Sequence, residues 1–223
     1  MISVLGTRLE LAKRLPTVRH FRVEEVNAVV SRGGEDPLKE FSIKEVLVTS
    51  QSIQQRVCEI GSRITEDYRG ERPLLVGILR GAIVFLSDLI RHVDLPCEID
   101  FMEVSSYDTG TSSSGVVRLL KDLEEPITER HVLIVEDIID TGLTVSYLHR
   151  FLSTRNPASL EVCTLLTKPS RRQVDLRVKY VGFEVPDEFV VGYGIDYAGM
   201  YRNLPHVCLL KEEVSSSLSS SLT

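Results

Sequence analysis

Two adjacent carboxylates, Glu136 and Asp137, stand directly behind an apolar run, Val132 to Val135. Three residues on comes Asp140-Thr141-Gly142-Leu143-Thr144. The apolar run reads as a buried strand, the Asp/Thr/Gly segment as a turn, and the pattern after it as the start of a helix. A strand, a polar turn and a helix N-terminus make an anion site, because the first amides of a helix have no partner within it and its dipole favours negative charge. Carboxylates beside such a site suit sugar hydroxyls or a divalent cation. As a bare pair of solvated acids they would repel each other, so a ligand or cation is the better account of them. One strand end is therefore expected to hold both the sugar and the phosphate of a phosphorylated ribose.

The elements that position these residues follow from periodicity. From Ser52 to Tyr68, Ile53, Val57, Ile60 and Ile64 recur at helical spacing. Leu74 to Ile78 reads as a strand, Gly81 to His92 as a helix, Glu98 to Val104 as a second strand, and Leu160 to Leu166 as a further one behind the helix Thr144–Ser153. Strands alternating with helices predict an α/β fold with a central, mainly parallel sheet flanked by helices. Ligands bind such sheets outside the carboxyl ends of the strands, where Arg80 and Glu136–Thr144 fall. Ser105 to Gly115 is rich in Ser, Thr and Gly with almost no apolar anchor, and is expected to be mobile. Val178 to Leu210 reads as strand and turn with little helix.

Composition sets bounds. The 223 residues suit one domain with appendages. A net charge of −6 disfavours nucleic acid as the main partner. No apolar run approaches a bilayer-spanning length, so no membrane partner is expected. Cys58, Cys97, Cys163 and Cys208 are scattered without Cys-x-x-Cys spacing, three of them in strand-like runs. They read as buried, reduced thiols of a cytoplasmic protein, with no metal site or disulfide framework. His20, His92, His131, His149 and His206 show no metal-ligand spacing, and none is given a role. The first 22 residues carry five basic side chains and one acid, which suits a surface helix or a cleaved targeting segment. Residues 31–37 form a turn-rich linker. The Ser-rich tail, 215–223, is expected to be disordered.

The segment His131–Thr144 resembles the phosphoribosyl-pyrophosphate (PRPP) motif of the type I phosphoribosyltransferases. Other segments narrow the resemblance to the hypoxanthine/guanine branch, in its bacterial form, over about Ile43 to Val214. It implies the type I phosphoribosyltransferase fold with a small hood subdomain. The expected organisation is an N-terminal extension, 1–42, and a transferase domain, 43–214. Within that domain the hood is expected from about 178–210 together with N-terminal elements.

By resemblance, Glu136 and Asp137 meet the ribose hydroxyls of PRPP, directly or through Mg²⁺. Thr141, Gly142, Leu143 and Thr144 would hold the 5′-phosphate. Asp140 has two readings that are compatible: a helix N-cap, and the carboxylate nearest N7 of the purine, where a general base is needed. Leu79-Arg80-Gly81 is by itself an ordinary turn. In the family the matching loop binds pyrophosphate, often with a cis peptide before the basic residue, and many relatives have Lys where this chain has Arg80. Ser106 and Tyr107 would lie on a catalytic lid that excludes water. Lys168, by itself a plain surface lysine, matches the residue that hydrogen-bonds a 6-oxo group; relatives often have Asp where this chain has Thr167. Phe189 reads as core on base rates, and by resemblance stacks on the purine beside Val190. Asp196 would be a second Mg²⁺ contact and help read the base edge, and Arg202 would bind pyrophosphate.

The activity so implied is purine salvage. The phosphoribosyl group of PRPP passes to hypoxanthine or guanine, giving IMP or GMP and pyrophosphate, with Mg²⁺ as cofactor, in a homodimer or homotetramer. A xanthine-preferring relative is the alternative within the fold. A PRPP-sensing RNA-binding regulator is the alternative outside catalysis; it would need a basic RNA-facing surface, which the acidic balance opposes.

Overall fold

The computed structural model describes residues 21–22, 42–108 and 113–211, with side chains for 42–105 and 117–211. The chain runs β1 (Phe21–Arg22), β2 (Ile43–Val48), α1 (Ser50–Asp67), β3 (Leu74–Leu79), α2 (Ile83–Leu89), β4 (Glu98–Asp108), β5 (Ser113–Lys121), β6 (His131–Ile139), α3 (Leu143–Ser153), β7 (Ser159–Thr167), β8 (Tyr180–Glu184), β9 (Val190–Val191) and β10 (Val207–Leu210). Single 3₁₀ turns follow α2 and β7. The main sheet has the order β5-β4-β3-β6-β7-β8. Its neighbours are parallel except β4 and β5. The strand order reverses between β3 and β6: β3 leads outward to β4, and β6 leads the other way to β7. This is the topological switch point at which open α/β sheets bind ligands.

Packing follows from the apolar pattern. β6 is buried on both faces from Val132 to Val135, as a central parallel strand must be. On one face Leu133 and Val135 join Ile53, Val57, Ile60 and Ile64 of α1 and Phe85 and Leu86 of α2. On the other, Val132 and Ile134 join Val145, Leu148 and Leu152 of α3. Thr49 caps α1, its side chain accepting from Ser52 N, and Arg56 ties that helix to β8 by donating to Val181 O and Gly182 O.

A second, antiparallel sheet has the order β1-β2-β10-β9. Ile43, Val46, Val191, Leu204, Cys208 and Leu210 form its core. This sheet draws together the two ends of the described chain, including Phe21–Arg22 from the stretch read as an extension.

Three expectations change. β8 was expected in the hood, but it pairs with β7 in the main sheet, because Tyr180 and Phe183 supply apolar surface to the main core. The strand expected to end at Val104 runs on into the Ser-rich stretch: the backbone of β4 continues to Asp108 and pairs with β5, with Ser105 opposite Arg118 and Ser106 opposite Val117. Residues 109–112, the middle of that stretch, lie outside the described residues. A ladder of backbone hydrogen bonds holds the flanks where apolar side chains are few. Finally, Cys163 and Cys208 are buried, but Cys97 lies before β4 and is only partly covered, and Cys58 is exposed on α1. The expectations for 1–20, 23–41 and 212–223, which include the linker and the Ser-rich tail, lie outside the described residues. No helix among the described residues is long and apolar enough to cross a membrane.

Candidate active site

β6 does not stop at the carboxylates. It pairs with β7 as far as Ile139–Thr167, so Glu136 and Asp137 are strand residues, correcting their expected place after the strand. In a strand, neighbours point to opposite faces. Glu136 lines an open pocket with Ile138, Asp140, Thr141, Gly142 and Thr144. Asp137 instead lies against Gly81, where a Cβ would overlap its Oδ2. Both acids are 9% exposed. Burial pushes the Glu136 carboxyl well up, and the charge of Asp137 adds to this. Burial likewise raises Asp137, to about 6, against the lowering effects of backbone N–H groups and Arg202. Asp137 Oδ1 accepts from Ile138 N at 2.8 Å, whereas Glu136 Oε2 is buried with no partner among the described residues. An orphaned carboxylate oxygen at a pocket wall is a group held ready for a ligand hydroxyl or a cation.

The pocket floor is the N-terminus of α3. Its N-cap is Gly142, at φ 84°, with no side-chain cap. That left-handed conformation favours glycine, and the amide of Leu143, the first helical residue, donates to Thr141 Oγ1 at 3.4 Å. The cap reading of Asp140 is therefore not what the fold uses. Asp140 turns toward cations instead: Arg171 Nε lies 2.8 Å from Oδ1, and Lys168 Nζ lies 3.9 Å from Oδ2. Lys168 is buried, at 5% exposure, because the β6–β7 pairing is prolonged by Lys168 N donating to Ile139 O. It is not the plain surface lysine of the sequence reading.

On the other side of the switch point, Leu79-Arg80-Gly81 closes β3, and the Leu79–Arg80 peptide is cis. Arg80 is exposed and 3.7 Å from Glu103. The segment after β9 folds over this loop: a Cβ at Gly194 would meet Gly81 O. Arg202 locks that segment, with Nη1 donating to Gly194 O and Nη2 2.6 Å from Asp196 Oδ1. Asp196 Oδ2 accepts from Gly199 N. Val190 of β9 is buried against the main core. Phe189, which base rates alone would place in the core and the resemblance on the purine, is 51% exposed and packs against Tyr197 in a T-shaped pair with ring centroids 5.1 Å apart.

The structure thus brings Glu136, Asp140, Thr141, Gly142 and Thr144 to one pocket. It sets Asp137 beside Gly81, and Asp196 and Arg202 where their charges reach Asp137. Leu143 begins α3. Ser106 and Tyr107 are placed on β4 by backbone alone. Sequence reasoning missed Arg171 and Arg172, which follow Lys168 closely enough to have drawn notice as a basic pair, and Asp88, which accepts from Tyr193 Oη at 2.6 Å and Gln54 at 2.7 Å and so joins the segment after β9 to α1 and α2. It also missed His206, whose Nδ1 accepts from Ser50 N at the start of α1; no local pattern marks it.

The family model for the phosphoribosyl transferase domain matches residues 45–198. A hypoxanthine-guanine phosphoribosyltransferase of Bacillus subtilis is 48% identical over 81% of this chain and 100% of its own length. One from Mycobacterium avium is 47% identical over 86% of this chain and 98% of its own. Among solved structures, a hypoxanthine phosphoribosyltransferase from Staphylococcus aureus superposes with a TM-score of 0.78 at 48% identity, over 81% of this chain and 98% of that one.

Proposed function

The chain belongs to the phosphoribosyl transferase domain family, and from that premise we propose its reaction and the part each residue takes. It transfers the 5-phosphoribosyl group of PRPP to hypoxanthine or guanine and releases pyrophosphate, an activity of purine salvage. The bond from the anomeric carbon to the pyrophosphate oxygen breaks, a bond to the purine nitrogen forms, and the base gives up a proton. The observation that carries this reading is a single strand end. There a helix N-terminus with glycine at its N-cap, an orphaned buried carboxylate oxygen of Glu136, the carboxylate of Asp140 and a buried lysine converge.

The 5′-phosphate takes the amides and hydroxyls of Thr141, Gly142, Leu143 and Thr144. Glu136 accepts from a ribose hydroxyl. Asp140 accepts the purine proton near N7 as general base. Lys168 donates to the 6-oxo group, which a 6-amino purine could not satisfy. Phe189 stacks on the base, with backbone near Val190 and Asp196 reading its edge. Leu79, Arg80, Gly81 and Arg202 take pyrophosphate, and Ser106 and Tyr107 close over it. Mg²⁺ would fit the donor set at Glu136 Oε2, a buried hard oxygen with no hydrogen-bond partner among the described residues, with the buried Asp137 carboxylate next to it in sequence. When bound there it would offset charge on pyrophosphate and improve it as a leaving group, with Asp196, which is paired with Arg202, as the expected second contact. The assembly is a homodimer or homotetramer. The four unpaired cysteines suit a reducing compartment such as the cytoplasm.

Steady-state rates with PRPP, Mg²⁺ and each of hypoxanthine, guanine, xanthine and adenine test this. Turnover of hypoxanthine and guanine, with adenine inert, is expected. Preference for xanthine or adenine would refute the assigned base selection, and no turnover of any base would refute the activity.

A further inference from the structure

Directly behind the phosphate turn lies a guanidinium that this reading does not use. Arg172 Nη2 donates to Thr167 Oγ1 at 2.7 Å. Arg172 Nη1 is buried with no partner among the described residues. The side chain occupies the space that Gly142 leaves empty: a Cβ at Gly142 would lie 3.0 Å from Arg172 Cδ, 3.1 Å from Nη1 and 3.0 Å from Val174 Cγ2. Gln173 N donates to Thr141 O at 3.0 Å. Three consecutive residues, 172–174, therefore brace the Thr141–Gly142 turn from behind. A guanidinium stays charged in such a place, and although the side chain as a whole is half-buried, its Nη1 is covered and unpaired among the described residues. Its one acceptor here is a neutral hydroxyl, which pins the group without neutralising it, and the Asp140 charge is the nearest opposing one felt by it.

We infer that Arg172 is a positioning residue for a phosphomonoester: pinned by Thr167, it holds the Thr141–Gly142 turn in shape and supplies fixed positive charge behind the loop. This rests on the proposed function, in which that loop takes the 5′-phosphate. A phosphate dianion entering the loop meets the start of the helix in front and, behind, a half-buried cation whose one hydrogen-bond acceptor is the neutral Thr167 hydroxyl. Thr167 is the key to that balance. A hydroxyl orients the guanidinium through one hydrogen bond, whereas a carboxylate would both orient it and cancel its charge.

The test is binding of GMP against guanosine, two ligands that differ only by the phosphate, to the wild type and to Arg172→Met, Arg172→Lys and Thr167→Val, alongside the melting of each ligand-free variant. Arg172→Met keeps the stem that packs on Gly142 and loses the charge. GMP affinity should fall about tenfold, as for loss of a charge-assisted interaction, with guanosine affinity unchanged. Arg172→Lys should recover most of it. Thr167→Val should weaken GMP severalfold, again with guanosine unchanged, and provides the test if Arg172→Met does not fold. The inference is overturned if Arg172→Met or Thr167→Val binds GMP like the wild type. Parallel losses of GMP and guanosine, or an Arg172→Lys as weak as Arg172→Met, would also overturn it by showing that the residue only fills space. A wild type that neither binds GMP nor turns over PRPP would instead strike the proposed function itself.

Discussion

Replacing Asp137 by Asn should make the ligand-free protein more stable while damaging its activity. Asp137 is buried beside Glu136, and burial raises its carboxyl to about 6 from an ordinary 3.8. A carboxyl raised in the fold binds protons more tightly folded than unfolded, so its contribution favours folding below about pH 4 and is lost as pH rises through about 6. At neutral pH the fold thus bears a charge it disfavours. A displacement of about two pH units corresponds to roughly 3 kcal/mol, an upper figure because the surroundings relax. Asn keeps an oxygen for the bond from Ile138 N and never ionises. Its attraction to Arg202 is lost, but that is already counted within the net shift. A gain of about 1–3 kcal/mol is expected near pH 7.5, read as roughly 2–4 °C in Tm per kcal/mol, fading toward zero near pH 4. Thermal unfolding of both proteins without ligand, across that pH range, gives the difference directly, and other titrating groups cancel in it. Steady-state assays should show a raised KM for PRPP. A variant that melts lower near pH 7.5, or a gain equally large near pH 4, would refute the argument that burial of this charge destabilises the empty site.

Asp140→Asn keeps the side-chain shape and removes the proton acceptor; turnover should drop by about 10²–10⁴ with PRPP binding retained, measured by initial rates and by titration of PRPP. Lys168→Ala removes a buried donor, and kcat/KM for hypoxanthine and guanine should fall by about 10–100-fold, the range for a hydrogen bond to a charged group. PRPP affinity should change far less, and the reverse pattern would put Lys168 in another subsite. His206 is held neutral, its imidazole pushed below the usual value by burial while Nδ1 accepts from Ser50 N. Its contribution is therefore present above about pH 6.5 and lost as pH falls through its lowered folded value. His206→Asn, which retains an acceptor and does not titrate there, should lose less stability between about pH 7 and 5 when the two proteins are melted in parallel.

The strongest local signals in the chain survived folding with little change. An apolar run with no polar relief, Val132 to Val135, can only be a strand buried on both faces, and it is one. The i, i+3, i+4 pattern of Ile53, Val57, Ile60 and Ile64 can bury only one side of a helix, and that side faces the core. A turn of Asp, Thr and Gly between strand and helix puts a helix N-terminus at a strand end whatever surrounds it. The α/β architecture and the polar pocket on β6 were legible for that reason: each depends on residues adjacent in sequence and on a backbone period of two or 3.6. Local sequence could not tell where pairing stops. The registers with β7 and β5 carried β6 past its carboxylates and β4 through a Ser-rich stretch, because hydrogen bonds from a neighbouring strand outweigh a weak side-chain pattern. Sorting Glu136 to the pocket at the start of α3 and Asp137 to Gly81, burying Lys168, turning Asp140 from a helix cap toward Arg171, and leaving Phe189 exposed are likewise results of long-range packing. The same holds for Arg172 behind Gly142 and His206 at the start of α1. Burial and charge pairing are sums over neighbours from every part of the chain, so only the tertiary structure decides which acid is orphaned, which cation is pinned and which ring is exposed.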